Sequence, residues 1–432
     1  MGPCYADKSK LKFGGNCMRQ MVRLLGVMVL FQMVAFGQIQ PSFFGMGVST
    51  SVDMPKVNYG TLSHPPVVWT TVEGTARGTY NFINIDGFVK KAPRAANGAA
   101  LITLDLGGWT PGWAVSDQSS CFSNKQRIVS CTVPPDNMQD WVDFVTTVIK
   151  HYNGKTAPHV AYYEIWNEAS NTKFWTGTVA QMLDFAQTAY PILKQDPTAT
   201  VLTPSVVWMN GVKFMTAYLK AGGGLYADGL TFHGYPSQTG PGTTLPVPMP
   251  ESPLSTNAPI MTMMSTFRLM ADTYGMLGKP IMTTEGGWGT NGVSDPDMQT
   301  AWISHYEILQ AGLAASNNLA FQTWFGWGHV VSGDIETTAG APTPAGSAYN
   351  VVYGWLVGQQ PSPCTSSGNI FSCVVGSKLI VWDTSQTCSK GVCTTASYTP
   401  PSGYSQYVDV TGAVSSIQEP IELGVKPIML EP

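Results

Sequence analysis

The stretch Tyr-Tyr-Glu-Ile-Trp-Asn-Glu at residues 162–168 decides the interpretation of this chain. Its aromatic and apolar residues predict a buried strand that ends at the polar pair Asn167 and Glu168. A second stretch, Pro-Ile-Met-Thr-Thr-Glu-Gly-Gly-Trp at residues 280–288, places Glu285 at the end of another buried strand. If both strands belong to one parallel barrel, their carboxyl ends lie at the same face and the two carboxylates can share one cleft.

The rest of the chain supplies the elements that such a barrel needs. Strand and helix patterns alternate eight times, which predicts a (β/α)8 TIM barrel. The predicted strands are residues 42–48, 66–69, 99–106, 162–168, 199–206, 229–233, 280–285 and 319–324. The predicted helices are residues 80–95, 136–152, 178–194, 212–221, 260–277, 295–315 and 346–356.

The two ends of the chain differ from its middle. Arg19 and Arg23 precede an apolar run at residues 24–36 and a small-x-small site ending at Gly37, which predicts a leader over residues 1–37. We therefore expect a secreted or periplasmic protein that has no membrane anchor after cleavage; a buried or anchoring N-terminal helix is the alternative. Residues 38–359 would form the catalytic barrel, and the short strand patterns of residues 360–432 predict a small all-β, sandwich-like domain.

Composition narrows the function classes. Apolar residues make up 44% of the 432 residues, charged residues make up 12%, and the net charge is −4. This charge gives no reason to expect nucleic acid or an anionic membrane as a partner. Histidine and cysteine are not spaced as in metal sites, so we expect no metal and no cofactor. No pattern indicates the oligomeric state.

Six cysteines lie outside the predicted leader. An even number of cysteines in an exported chain predicts disulfides. The simplest of the possible connectivities joins neighbours along the sequence, namely Cys121 with Cys131, Cys364 with Cys373 and Cys388 with Cys393.

The two strand-end glutamates suggest a specific chemistry. A pair of carboxyl groups on either side of a sugar linkage carries out glycoside hydrolysis. In the retaining reaction one carboxylate attacks the anomeric carbon while the other carboxyl group protonates the leaving oxygen. We therefore expect a carbohydrate substrate.

Several short motifs in order along the chain resemble clan A of the retaining glycoside hydrolases, most closely its family 39 and family 5-like branch. They are Phe-Phe-Gly-Met at residues 43–46, Tyr-Glu-Ile-Trp-Asn-Glu at 163–168, His-Gly-Tyr at 233–235 and Thr-Glu-Gly at 284–286. The resemblance implies that Glu168 is the general acid/base and Glu285 the nucleophile. It also implies that Asn167 binds the sugar 2-hydroxyl and that Tyr235 orients Glu285.

Other polar and aromatic residues near the predicted strand ends are candidates for the same site. His233 is either a substrate-binding residue or a core histidine. Tryptophan rings at these positions either stack on a sugar or pack the top of the barrel; they are Trp109, Trp166, Trp288, Trp324 and Trp327. Asp105 and Glu164, inside predicted strands, are interpreted as structural.

One departure from the clan pattern concerns the second strand. Many clan members carry an arginine at its end, whereas residues 67–70 contain none, and we expect Trp69 to fill that space. The departure keeps two other functions open. One is a non-catalytic carbohydrate-binding TIM-barrel protein, and the other is a cell-surface structural protein that uses the barrel as a scaffold.

Overall fold

The computed structural model describes residues 37–48, 54–63, 68–123, 129–237, 247–289, 292–328 and 332–432. The predicted leader before residue 37 lies outside these ranges. In the part of the chain that is described, no helix combines the length and the hydropathy needed to cross a membrane.

Eight parallel strands form the centre of the molecule. They are β1 Phe44–Val48, β2 Thr61–Ser63, β3 Ala100–Gly107, β4 Val160–Trp166, β5 Thr200–Leu202, β6 Leu230–Gly234, β7 Ile281–Gly286 and β8 Leu319–Trp327. Neighbours follow the order β5-β4-β3-β2-β1-β8-β7-β6. Two parallel bridges, Leu202 with Gly229 and Val207 with His233, join the outer strands β5 and β6 and close the barrel. The predicted (β/α)8 fold is confirmed.

Helices follow the strands and cover the outside of the barrel. They are α1 Val68–Glu73, α2 Ile83–Lys91, α3 Met138–His151, α4 Val179–Leu193, α5 Trp208–Lys220, α6 Ile260–Thr273, α7 Pro296–Asn317 and α8 Pro344–Leu356. Their starts have sequence causes. Thr178 and Gln181 form a reciprocal capping box at α4, and the Asp295 carboxylate accepts the first free amides of α7.

The position of the second strand was predicted wrongly. Residues 68 and 69 of the predicted strand begin helix α1, and β2 lies earlier, at Thr61–Ser63. Val68, Trp69 and Val72 are buried at helical spacing, and the Trp69 indole donates to Glu73 one turn later at 3.0 Å. The remaining predicted residues, 66 and 67, lie outside the described ranges.

Trp69 therefore does not fill a space at the end of the second strand. Its ring packs among Trp113, Trp141 and Phe144, which places it between α1 and α3. The sequence between residues 57 and 76, which spans β2 and the segment after it, still contains no arginine.

The interior of the barrel is layered. Near its base Tyr162, Leu202, Met282 and Phe321, from four different strands, form an apolar cluster separate from the main core. Because side chains on one face of a strand recur every second residue, Glu164 and Thr284 lie one layer closer to the carboxyl ends. This second layer is polar and directly precedes the strand ends.

The C-terminal part is all β, as predicted. A six-stranded antiparallel sheet contains, in spatial order, Thr365–Ser367, Ile370–Val375, Lys378–Asp383, Ile428–Glu431, Gln406–Asp409 and Val414–Ser416. A second pair of strands, Ala396–Tyr398 and Ile421–Leu423, shares an apolar cluster with this sheet. Disulfides join Cys121 to Cys131, Cys364 to Cys373 and Cys388 to Cys393, so the predicted pairing is confirmed.

Candidate active site

The structure brings Glu168, His233 and Glu285 together at the carboxyl ends of the barrel strands. Glu168 follows β4, His233 belongs to β6 and Glu285 belongs to β7. One oxygen from each carboxylate and one ring nitrogen of the histidine all lie within 4.8 Å of one another. Both glutamates keep a small exposed fraction, 9% for Glu168 and 7% for Glu285, so the cluster is buried and still reachable from solvent.

Glu168 is held in an unusual backbone conformation. Its φ is +44°, in the left-handed region that residues other than glycine rarely adopt. Its backbone amide donates to the Ser205 hydroxyl at 2.9 Å, and the next amide, of Ala169, donates to the Ser205 carbonyl at 2.9 Å. These bonds, made to the segment after β5, hold the conformation that aims the carboxylate into the cluster.

Each glutamate has its own hydrogen-bond donors. Glu168 accepts from the Asn171 amide at 2.7 Å, and its other oxygen lies 3.0 Å from Nδ1 of His233. Glu285 accepts from the Tyr235 hydroxyl at 3.1 Å and lies 3.4 Å from the same Nδ1. His233 therefore bridges the two carboxylates and is closer to Glu168.

These contacts set different proton affinities for the two carboxyl groups. Burial raises the pKa of Glu285 to about 7, with the charge of Glu168 adding to this effect and that of His233 opposing it. Burial acts on Glu168 too, but its hydrogen bonds and the charge of His233 outweigh burial and lower its pKa. In this structure the proton prefers Glu285 to Glu168.

The bridging histidine favours the charged form. Burial opposes its charge, yet the nearby carboxylates, Glu285 first among them, raise the pKa of His233 to about 9. Its Nδ1 lies at hydrogen-bond distance from Glu168 and 3.4 Å from Glu285, so the charged imidazole ring pairs with both carboxylates. Among the described residues no other group of three or more ligating side chains lies this close together.

Two further predicted residues lie next to the cluster. Tyr235 bonds Glu285, as described above. Asn167 is 2% exposed, and its side-chain oxygen has no hydrogen-bond partner in the described part of the chain. An unpaired buried acceptor beside Glu168 suits a hydroxyl-bearing ligand.

The predicted tryptophans are used mainly for packing. Trp288, Trp324 and Trp327 are at most 2% exposed, and the Trp324 indole donates to the Gly333 carbonyl at 2.7 Å. The half-buried Trp109 stacks on Phe174 and donates to a backbone carbonyl, and Trp166 packs against α3 and α4. A role of Trp109, Trp288, Trp324 or Trp327 in stacking on a sugar stays a prediction.

The sequence interpretation missed two residues that shape the site. Asn171 lies three residues after Glu168 in the same turn, and an Asn at that spacing could have been noticed as a local donor. Ser205 lies 37 residues away along the chain and reaches Glu168 only because β5 is adjacent to β4. No pattern within the sequence connects these two positions.

Comparisons with known proteins identify the architecture. No family profile and no curated sequence matches the chain. Among solved structures, it resembles a family 39 glycoside hydrolase from the gut symbiont Bacteroides cellulosilyticus WH2. The TM-score is 0.65 at 16% identity, over 90% of this chain and 81% of the other.

Two other solved structures cover nearly all of both chains. A monomeric beta-xylosidase from Caulobacter crescentus CB15 gives a TM-score of 0.61 at 14% identity, over 92% of this chain and 97% of the other. A family 30 subfamily 8 xylanase from Clostridium acetobutylicum gives 0.54 at 14% identity, over 92% and 94%. This chain therefore has the fold of the clan A glycoside hydrolases, and its architecture is similar to that of family 39.

Proposed function

We propose that the protein is a secreted, retaining glycoside hydrolase that cleaves a β-linked oligo- or polysaccharide. The observation that carries this proposal is the approach of Glu168 and Glu285 to within 4.8 Å at the carboxyl ends of β4 and β7. Retaining enzymes place their carboxyl groups ~5 to 5.5 Å apart, whereas inverting enzymes leave room for a water molecule and need ~6.5 Å or more. Three disulfides support an oxidising compartment.

In the first step Glu285 would attack the anomeric carbon while Glu168 protonates the departing oxygen. This forms a glycosyl ester at Glu285 and releases the first product. In the second step Glu168, now ionised, would take a proton from water while that water attacks the anomeric carbon; the bond from this carbon to the Glu285 oxygen breaks, which frees Glu285 as a carboxylate. Tyr235 would hold the nucleophilic carboxylate, and the free oxygen of Asn167 would accept a hydrogen bond from the sugar 2-hydroxyl.

The first step needs the proton on Glu168, whereas the structure favours Glu285. His233 offers a way to reverse that order, because its Nδ1 lies 3.0 Å from Glu168 and 3.4 Å from Glu285. If the ring moves toward Glu285, that carboxylate gains a charged donor and its pKa falls, while Glu168 loses one and its pKa rises. A small displacement on substrate binding would thus prepare both groups for their roles.

Substitution of each glutamate tests the assignment. We expect Glu285→Ala and Glu168→Ala each to lower kcat on an aryl β-glycoside by on the order of 10³-fold. Glu422→Ala, which removes a solvent-exposed carboxylate of the C-terminal part, serves as the matched control and should leave turnover unchanged.

Azide rescue then separates the two roles. In Glu285→Ala the anion would attack from the face that the nucleophile vacates and give the α-glycosyl azide. In Glu168→Ala it would attack the glycosyl ester and give the β-glycosyl azide. If Glu285→Ala instead gave the β-glycosyl azide and Glu168→Ala the α-glycosyl azide, the two roles would be reversed. If the unsubstituted protein released the inverted anomer first, the two-step mechanism would be excluded.

A carbohydrate-binding protein without catalysis is the second candidate. The missing arginine after β2 and the raised pKa of Glu285 favour it, because both weaken an ionised nucleophile. Calorimetric binding of a glycan with no product after days of incubation would support this candidate, and measurable turnover would exclude it.

A further inference from the structure

A second pair of acidic residues lies directly below the two glutamates. Asp105 of β3 and Glu164 of β4 are cross-strand partners in the parallel register. Asp105 is 1% exposed and Glu164 is fully buried. One oxygen of each, Oδ1 of Asp105 and Oε1 of Glu164, has no hydrogen-bond partner among the described residues. Two neighbouring buried carboxylates, each with one oxygen that lacks a donor, would be costly to bury if both were ionised.

The second oxygen of Glu164 is tied to the strands that carry the site. It accepts from the Thr284 hydroxyl at 2.7 Å and from the Thr231 hydroxyl at 3.3 Å, and these two hydroxyls lie 2.7 Å apart. Thr284 precedes Glu285 on β7, and Thr231 lies two residues before His233 on β6. Glu164 is thus the hydrogen-bond centre of the polar layer beneath both side chains.

The titratable groups that surround Asp105 explain where a proton resides. They are Glu164 and Glu168 from β4 and its end, His233 and Tyr235 from β6 and its end, Glu285 from β7, and Lys173 at the rim near Glu168. Burial, then the charges of Glu164, Glu285 and Glu168, raise the pKa of Asp105 well above its usual value. Burial also raises the pKa of Glu164, but the charge of His233 and the hydroxyl donors Thr284 and Thr231 oppose it.

We propose that Asp105 and Glu164 share a single proton, which Asp105 carries and donates to Glu164, and that this acid pair is a positioning unit of the active site. With one proton the pair holds one negative charge below His233 and Glu285. That charge helps to keep His233 protonated and raises the proton affinity of Glu285. The kinetic consequences rest on the proposed glycosidase activity, whereas the shared proton does not.

The kinetic test compares two amide substitutions. Glu164→Gln removes the negative charge, so the acid limb of kcat, which reports the ionisation of Glu285 in the substrate complex, should move to lower pH by ~1 unit. Asp105→Asn replaces a neutral acid by a neutral amide, so its acid limb should stay within a few tenths of a pH unit of the unsubstituted protein. An acid limb that moves in Asp105→Asn, or that moves in neither variant, would overturn the proposal.

A second measurement is independent of activity. Because folded Asp105 holds a proton that the unfolded chain releases above pH ~4, this group makes the free energy of unfolding fall as pH rises. Asp105→Asn should lack that contribution, so its unfolding free energy should fall less steeply with pH, by about one bound proton. Equal slopes in the two proteins would show that Asp105 is ionised. If the unfolding free energies of the two proteins differ in their slope against pH but the protein shows no turnover, the proposed function is wrong and the proposal of a shared proton is retained.

Discussion

At the scale of single residues, the turn after β4 contributes a donor that favours the ionised form of Glu168. The carboxylate receives a 2.7 Å hydrogen bond from Asn171, and the backbone of the same turn is held by Ser205. A donor to a carboxylate stabilises the ionised form and lowers the pKa. In the proposed reaction Asn171 would therefore make Glu168 a weaker acid in the first step and stabilise the ionised form that the second step requires.

Removal of this donor should change the pH profile in a defined direction. In Asn171→Ala we expect the pKa of Glu168 to rise, so the alkaline limb of kcat, which reports the proposed acid in the substrate complex, should move to higher pH. Asn153→Ala is the matched control, since the side chain of Asn153 accepts hydrogen bonds from two backbone amides of its own turn. An alkaline limb that does not move in Asn171→Ala would mean that Glu168 is not the general acid.

At the scale of elements, the long β3–α3 loop supports the segment that follows Glu168. The indole of Trp109 donates to the Lys173 carbonyl at 2.8 Å, and its ring stacks on Phe174 at 5.3 Å between centroids. Phe122, next to the Cys121–Cys131 disulfide, contacts the edge of the same indole at 5.2 Å. The disulfide hairpin thus braces the turn that holds Asn171.

Graded substitution of Trp109 tests this bracing. Trp109→Phe keeps a stacking ring and loses one hydrogen bond, so we expect a loss of a few-fold in kcat/KM. Trp109→Ala loses both and should lower kcat by about tenfold with little change in KM. An increase in KM at constant kcat would instead indicate that the ring contacts the sugar, as the sequence suggested.

At the scale of the whole molecule, one buried cluster joins the barrel to the C-terminal part. His305 of α7 lies 2.9 Å from Glu251 and 2.8 Å from the Val425 carbonyl, and the Trp382 indole donates to Glu251 at 3.2 Å. Burial would raise the pKa of Glu251, but the charge and hydrogen bond of His305 outweigh it and lower that pKa. The pKa of Glu251 is lower in the folded chain than its value of ~4.3 in the unfolded chain, so this carboxylate stabilises the fold at pH values above ~4.3. That stabilisation is lost as the pH falls through the folded pKa.

His305→Ala should break this cluster. It leaves the Glu251 carboxylate buried without its ion-pair and hydrogen-bond partner, and we expect the free energy of unfolding to fall by ~3 to 5 kcal/mol at neutral pH, measured by urea denaturation. His159→Ala, which removes a partly exposed pair with Asp196, should cost at most ~1 kcal/mol. Equal losses in the two variants would contradict the importance of the buried pair.

The sequence predicted the site residues that directly follow or close a strand. Apolar runs followed by glutamate were enough to place Glu168 and Glu285 at one face of a barrel. It misplaced β2 because Val68 and Trp69 suit a strand as well as a helix, and only the helical partner Glu73 distinguishes them. Contacts between distant strands, such as Asp105 with Glu164 or Ser205 with Glu168, depend on strand register, which a single sequence does not reveal.

The closure of the barrel has a dynamic consequence. Within the described part of the chain only two bridges connect the segments around β5 and β6, whereas β3 and β4 pair over most of their length. Amide protons along this seam should therefore exchange with solvent sooner than those of β3 and β4. One of the two bridges involves His233, so local opening of the barrel wall would begin beside the residue that links the two glutamates. A bulky polymer could therefore displace the rim of the barrel most easily at this position.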